Sequence, residues 1–156
     1  MHILTLADVK AIEKQMQGSG VTAQTLNPIE LETRMVAKVC GVDYESLLDL
    51  PMSKLSEYQD QLIEQMQAPV EMVHTETGWK FTMAYPPNEG ECCIDVRYPT
   101  RRDTIQAQHN STVTFVGRLL AGIGKVDGNL RPISYWDKIS YTDYNKILEV
   151  LWPYGL

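Results

Sequence analysis

No stretch of this chain approaches the ~18 consecutive apolar residues that a membrane-spanning helix requires, so the sequence predicts no transmembrane segment. Its opening residues, Met1 to Lys10, carry neither a positive n-region nor a long apolar h-region, and no signal peptide is expected. Cysteine is scarce. Cys40, Cys92 and Cys93 are an odd number that makes no disulfide framework and suits a reducing compartment, so the expected localisation is cytoplasmic. Positive charge is also short, with 14 basic against 20 acidic residues and a net charge of −6. Only Arg101 and Arg102 are adjacent, whereas nucleic-acid binders cluster their cations to displace counterions. Neither nucleic acid nor membrane is an expected partner.

Enough apolar sequence is present for a real core. At 156 residues and 44% hydrophobic, the chain fits one domain or two small subdomains, with no need for a metal or disulfide staple. Thr5 precedes an apolar series at Leu6, Val9, Ile12 and Met16, a helical period, with Asp8 in a capping-box position and Gly18-Ser19-Gly20 as the stop. Asn27-Pro28 reads as a second helix start, with Glu30 favoured by the helix dipole. Leu31, Met35, Val36, Val39 and Cys40 form its stripe and Gly41 its cap. After a turn around 45–50 and Pro51, Ser53 is expected to cap a last helix with Leu55, Tyr58, Leu62 and Met66 inward.

The middle changes period. Segments 70–75, 79–85 and 92–98 read as three strands, joined by Glu76-Thr77-Gly78 and by the turn Pro86 to Gly90. Ile94, Val96 and Tyr98 share one face of the third strand with Cys92. Cys93, Asp95 and Arg97 take the other, so the two adjacent cysteines are expected to point apart and share no metal. The helical grammar then returns. Thr100-Arg101-Arg102-Asp103 repeats the cap of Thr5 to Asp8, and Val113, Val116, Leu119, Leu120 and Ile123, closed by Gly124, repeat the second helix. Residues 36–41 align with 119–124 and 50–55 with 139–144, which sets Leu62 opposite Leu151. The sequence therefore predicts a mostly helical α+β chain. Two helical units of about three helices each, 1–68 (a degenerate copy) and 99–156, flank a three-stranded antiparallel meander at 69–98, all in one compact domain.

Chemistry is hard to find. His2, His74 and His109 have no ligand spacing among themselves or with the cysteines. Asp8 and Asp103, weighed as a carboxylate pair, are better explained as helix-capping acids. Cys40 sits on a helix stripe as inert packing. There is no phosphate-cradling motif, and Gly122-Ile123-Gly124 lacks a third glycine, so Gly122 is assigned to close helix packing. The acidic residues Glu30, Glu32, Asp43, Glu45 and Asp49 read as a solvated face. No enzyme activity and no cofactor or metal are expected. Surface remains. Trp79 and Trp136 are assigned to the core. The tail Trp152-Pro153-Tyr154-Gly155-Leu156 either docks back or meets a partner, and Trp152, Tyr154 and Leu156 are the candidate partner-binding residues.

Residues 81–156 also resemble a known family. The strand Phe81-Thr-Met-Ala-Tyr-Pro86, the Asn88-x-Gly90 turn, Ile94-Asp-Val-Arg-Tyr-Pro-Thr-Arg-Arg-Asp103, a long helix ending in glycine and the segment Ile139-Ser-x-x-Asp-Tyr144 are similar to the tail assembly chaperones of tailed bacteriophages, including those of P2-like and Mu-like phages. The resemblance covers about half the chain, and residues 4–66 look like a degenerate second copy of the helical part. It implies a cytoplasmic, non-catalytic factor that coats the long helical tape-measure protein and recruits tail-tube subunits, with self-association compatible. The alternative is a phage or prophage structural protein, or a host-directed inhibitor that binds one folded partner.

Overall fold

The computed structural model describes residues 1–17 and 26–154. Helix α1 (Leu6–Gln17) opens on a reciprocal cap: Thr5 Oγ1 accepts the Asp8 N–H (3.3 Å), and the Asp8 carboxylate accepts the Thr5 N–H (3.0 Å). Leu6, Val9, Ile12 and Met16 are its buried face, as the period requires. The Gly18-Ser19-Gly20 stop lies outside the described residues. Helix α2 (Pro28–Cys40) starts where Asn27 Oδ1 accepts the Ile29 and Glu30 N–H groups, and it ends at Gly41 with φ +67. Met35, Val36, Ala37 and Val39 are buried, while Leu31 and Cys40 at the stripe's margin are only half-buried.

A short helix, α3 (Tyr44–Leu48), leads to α4 (Met52–Met66). Ser53 is not its cap. The Pro51 carbonyl already accepts from Lys54 (2.9 Å) and Leu55 (3.0 Å), so the helix begins before Ser53 and buries that residue's capping role inside the first turn. Of the expected α4 stripe, Leu62 is buried, and Leu55, Tyr58 and Met66 are half-buried. The fully buried polar residue is Gln65. Its amide accepts the Leu4 N–H (2.7 Å) and donates to the His2 carbonyl (2.8 Å), standing in for one rung of a neighbouring strand.

Strands β1 (Glu71–His74), β2 (Gly78–Thr82) and β3 (Cys93–Arg97) occupy the three predicted segments. The meander is longer than three strands. Helix α5 (Arg101–Ala107) and helix α6 (Thr112–Ile123) follow, and α6 runs directly into β4 (Gly124–Val126), which pairs with β3 and turns into β5 (Asn129–Leu130). The result is a five-stranded antiparallel sheet in sequential order. Asp127 (φ +48) and Gly128 (φ +89) supply the two positive φ angles of a tight two-residue hairpin, for which Asp-Gly is a favoured pair. Gly124 is extended, not a left-handed cap, and a Cβ there would lie 2.9 Å from the Leu120 carbonyl oxygen and 3.0 Å from the Trp136 ring. Close approach therefore falls to Gly124. Gly122, expected to serve it, faces open space because its side of the helix is exposed.

The two helical units do not flank the sheet; they interleave. Helix α7 (Ile133–Trp136) packs on α6, and α6 lies across β3, β4 and β5. Helix α8 (Tyr141–Leu151) packs against α1 and α4, and α1 also touches α6. Thr142 Oγ1 donates to the Gln65 carbonyl (2.9 Å), while the Leu6 and Tyr141 N–H groups donate to the Ile139 (3.0 Å) and Leu4 (2.7 Å) carbonyls. These bonds draw the start of one unit onto the end of the other. Apolar residues from both units and from the sheet, among them Val36, Leu62, Phe81, Ile94, Leu120 and Leu151, belong to one buried cluster.

Candidate partner-binding surface

Helix α5 is set against the end of β3 by charge. Thr100 Oγ1 accepts the Asp103 N–H (3.3 Å), and the Asp103 carboxylate accepts the Thr100 N–H (2.7 Å), completing a capping box. Arg97 grips the same carboxylate with two N–H donors, at 2.7 and 3.0 Å. That guanidinium, helped by the Thr100 backbone and hydroxyl donors, holds the Asp103 carboxyl well below the usual carboxylate range against a smaller opposing effect of burial.

Thr104 and Ala107 are the inward residues of α5, which turns Ile105 outward at 62% exposure. The link to α6 is fixed at both ends. His109 Nδ1 accepts the Ser111 N–H (3.0 Å), Arg118 donates to the Gln108 carbonyl (3.1 Å), and Ser111 caps α6. Beyond α8 the chain tightens into a 3₁₀ turn, Trp152–Tyr154, with Trp152 57% exposed. Between these elements lies an open pocket of about 390 Å³, lined by Phe115, Ile105 and Trp152 together with Arg101, Gln108 and His109. A volume of this size accepts one or two apolar side chains. An exposed tryptophan beside a pocket is the sort of group that anchors protein interfaces.

Of the three sequence-nominated residues, Trp152 lines this pocket. Tyr154 closes the described chain in the same turn, and Leu156 lies outside the described residues. Ile105, Phe115 and His109 were missed. Ile105 carried a signal, since it is apolar yet one step off the face set by Thr104 and Ala107. Trp79 and Trp136 are buried, at 6% and 0% exposure.

The titratable residues are dispersed. His2 bonds Asp8 (2.7 Å), the His74 ring shares a hydrogen bond with the Tyr98 hydroxyl and stacks on Trp79, and His109 holds its own loop. Among the described residues no group of three or more His, Cys, Asp or Glu side chains converges as a metal site. Asp8 and Asp103 each close their own helix cap. Cys40 Sγ lies 3.4 Å from the Tyr58 carbonyl, and burial pushes its thiol up. The adjacent cysteines do not point apart: Cys92, just before β3, and Cys93, its first residue, have their Sγ atoms 3.1 Å from one another. No described helix is long and apolar enough to cross a membrane.

Comparison with protein-family models, with curated proteins and with solved structures finds no match.

Proposed function

We propose that this chain is a non-catalytic protein-binding factor that presents the α5–α6 pocket and Trp152 to a helical partner. More particularly, it is a phage tail assembly chaperone-like protein acting in the host cytoplasm, with the tape-measure protein as its extended partner and tail-tube subunits as secondary ones. The observation that carries this reading is the pairing of exposed Ile105 and Trp152, with Phe115 beneath them, around an open pocket whose remaining lining is polar. An amphipathic helix lays side chains of one face into such a groove at i, i+3 and i+4 spacing. Duplication of the helical unit belongs to the same reading. The helices of both halves come as helix, longer helix, short helix, helix, with the β4–β5 hairpin inserted between the second and third in the later half. The starts of α4 and α8 fall at the aligned residues Met52 and Tyr141.

The test is a pull-down of tagged protein from lysate of its phage-producing host, read by quantitative mass spectrometry. One very long helix-rich chain carrying many bait copies is the expected result. Trp152→Ala should weaken recovery by roughly thirtyfold in affinity, the ~2 kcal/mol scale of an interface anchor. A single folded host protein at equal stoichiometry would overturn the reading in favour of an inhibitor.

A further inference from the structure

In a regular strand, successive amides and successive side chains alternate between sides. Cys92 and Cys93 break that rule. The Asp127 carboxylate accepts both of their N–H groups, Cys92 at 3.2 Å on Oδ2 and Cys93 at 3.1 Å on Oδ1. Two consecutive amides aimed at one carboxylate depart from strand alternation, and with them the two Sγ atoms come to lie 3.1 Å apart on the same side. Asp127 is itself fixed, at φ +48 in the β4–β5 turn, with its own N–H donating to the Cys93 carbonyl (3.0 Å). A turn remote in sequence therefore holds the pair in register. Cys92 is exposed and Cys93 half-buried, so the pair meets solvent.

We propose that Cys92 and Cys93 form a reversible thiol-modification site, a preorganised dithiol that reacts with low-molecular-weight disulfides and closes into a vicinal disulfide. One cysteine of the pair first gives up its proton to solvent, leaving a thiolate. It attacks one sulfur of the incoming disulfide, whose S–S bond breaks, and the first small thiolate departs and takes up a proton. The second cysteine then loses its proton and attacks the cysteine sulfur of the mixed disulfide. This forms the Cys92–Cys93 bond and expels the second small thiolate, which is protonated in turn. The two cysteines are oxidised, and the small disulfide is reduced to two thiols. Excess thiol reverses the sequence. The sulfurs must close about 1 Å to reach a bond of ~2.05 Å, and the peptide between them must adjust, because adjacent Cα atoms at ~3.8 Å stand closer than a disulfide usually spans. The hydrogen bond and negative charge of Cys93 raise the Cys92 thiol, so closure should quicken as pH rises above neutrality.

The experiment uses the folded full chain carrying Cys40→Ser, incubated with oxidised glutathione and followed by intact-mass spectrometry and thiol counting. The expected product has lost two hydrogens and retains no adduct. Cys92→Ser and Cys93→Ser should each stop at a single stable glutathione adduct. Asp127→Gly keeps the positive-φ turn but removes the carboxylate, and it should slow closure by about tenfold, the cost of losing orientation. The same chain unfolded in urea should close at the slower rate too. A lasting adduct on the two-cysteine protein, or closure as fast in urea as in the folded state, would overturn the proposal.

Discussion

Helices α5 and α8 open on the same device, a hydroxyl residue followed three places later by aspartate, yet the two aspartates carry different burdens. Asp103 serves its own neighbourhood: its partners are Thr100 and Arg97, within six residues along the chain. Asp143 is 1% exposed and accepts from Ser140 Oγ (2.6 Å), from the Ala84 N–H (2.7 Å) and from the Tyr85 N–H (3.1 Å), the last two nearly sixty residues away. One carboxylate starts a helix at the surface. The other starts a helix and also ties the chain leaving β2 to the core. A capping motif announces the first role and is silent about the second, because the second depends on which remote amides arrive.

That difference can be broken directly. Asp143→Ala should destabilise the fold by about 3–5 kcal/mol, since two part-buried amides and a buried serine lose their acceptor at once. Urea unfolding would show it as a lower midpoint at unchanged slope. Asp103→Ala should cost only about 1 kcal/mol, the usual scale of a lost helix cap, by the same measurement. Equal losses would erase the distinction. Acid sharpens it further. The Asp103 carboxyl has a folded pKa below its unfolded one, so unfolded chains take up the proton first. Its contribution is therefore complete above about pH 4 and fades as pH falls toward the depressed folded value. The stability gap between the wild-type chain and Asp103→Asn should shrink across that window. Arg97→Ala should narrow the window with the smallest loss of all, under about 1 kcal/mol, because Arg97 is half-exposed and screened by salt.

Much of the fold was legible where the determinants are local. The caps at Thr5, Asn27 and Thr100, the buried stripes of α1 and α6, and the first three strands follow from residues within a few positions of each other. The β4–β5 hairpin has a local signal in Asp127-Gly128, yet the three-strand expectation leaves it out, and Gly124, expected to close its helix as Gly41 does, instead opens β4. The two glycines close similar helices and then diverge. Gly41 turns left-handed, while Gly124 stays extended because the strand it begins is claimed by β3. Interleaving of the two units, the same-side thiols and the Ile105–Trp152 pocket all arise from contacts between distant segments, which periodicity does not encode. Trp152, a partner-binding candidate from the sequence, lies on the rim of that pocket, but nothing in its neighbours points to Ile105 or Phe115 as companions.

The rung that joins Leu4 to Tyr141 also sets a timetable. A ribosome delivers the chain from its amino end at ~5–20 residues per second, so the partner of Leu4 follows it by on the order of ten seconds. Throughout that interval the α1 stripe of Leu6, Val9 and Ile12 lacks part of its cover, since α8 does not yet exist and α6 comes only near its end. Assembly of this fold is thus a late, concerted closing of first residues on last ones. The nascent first half is the stage most open to capture by holding factors in the cell.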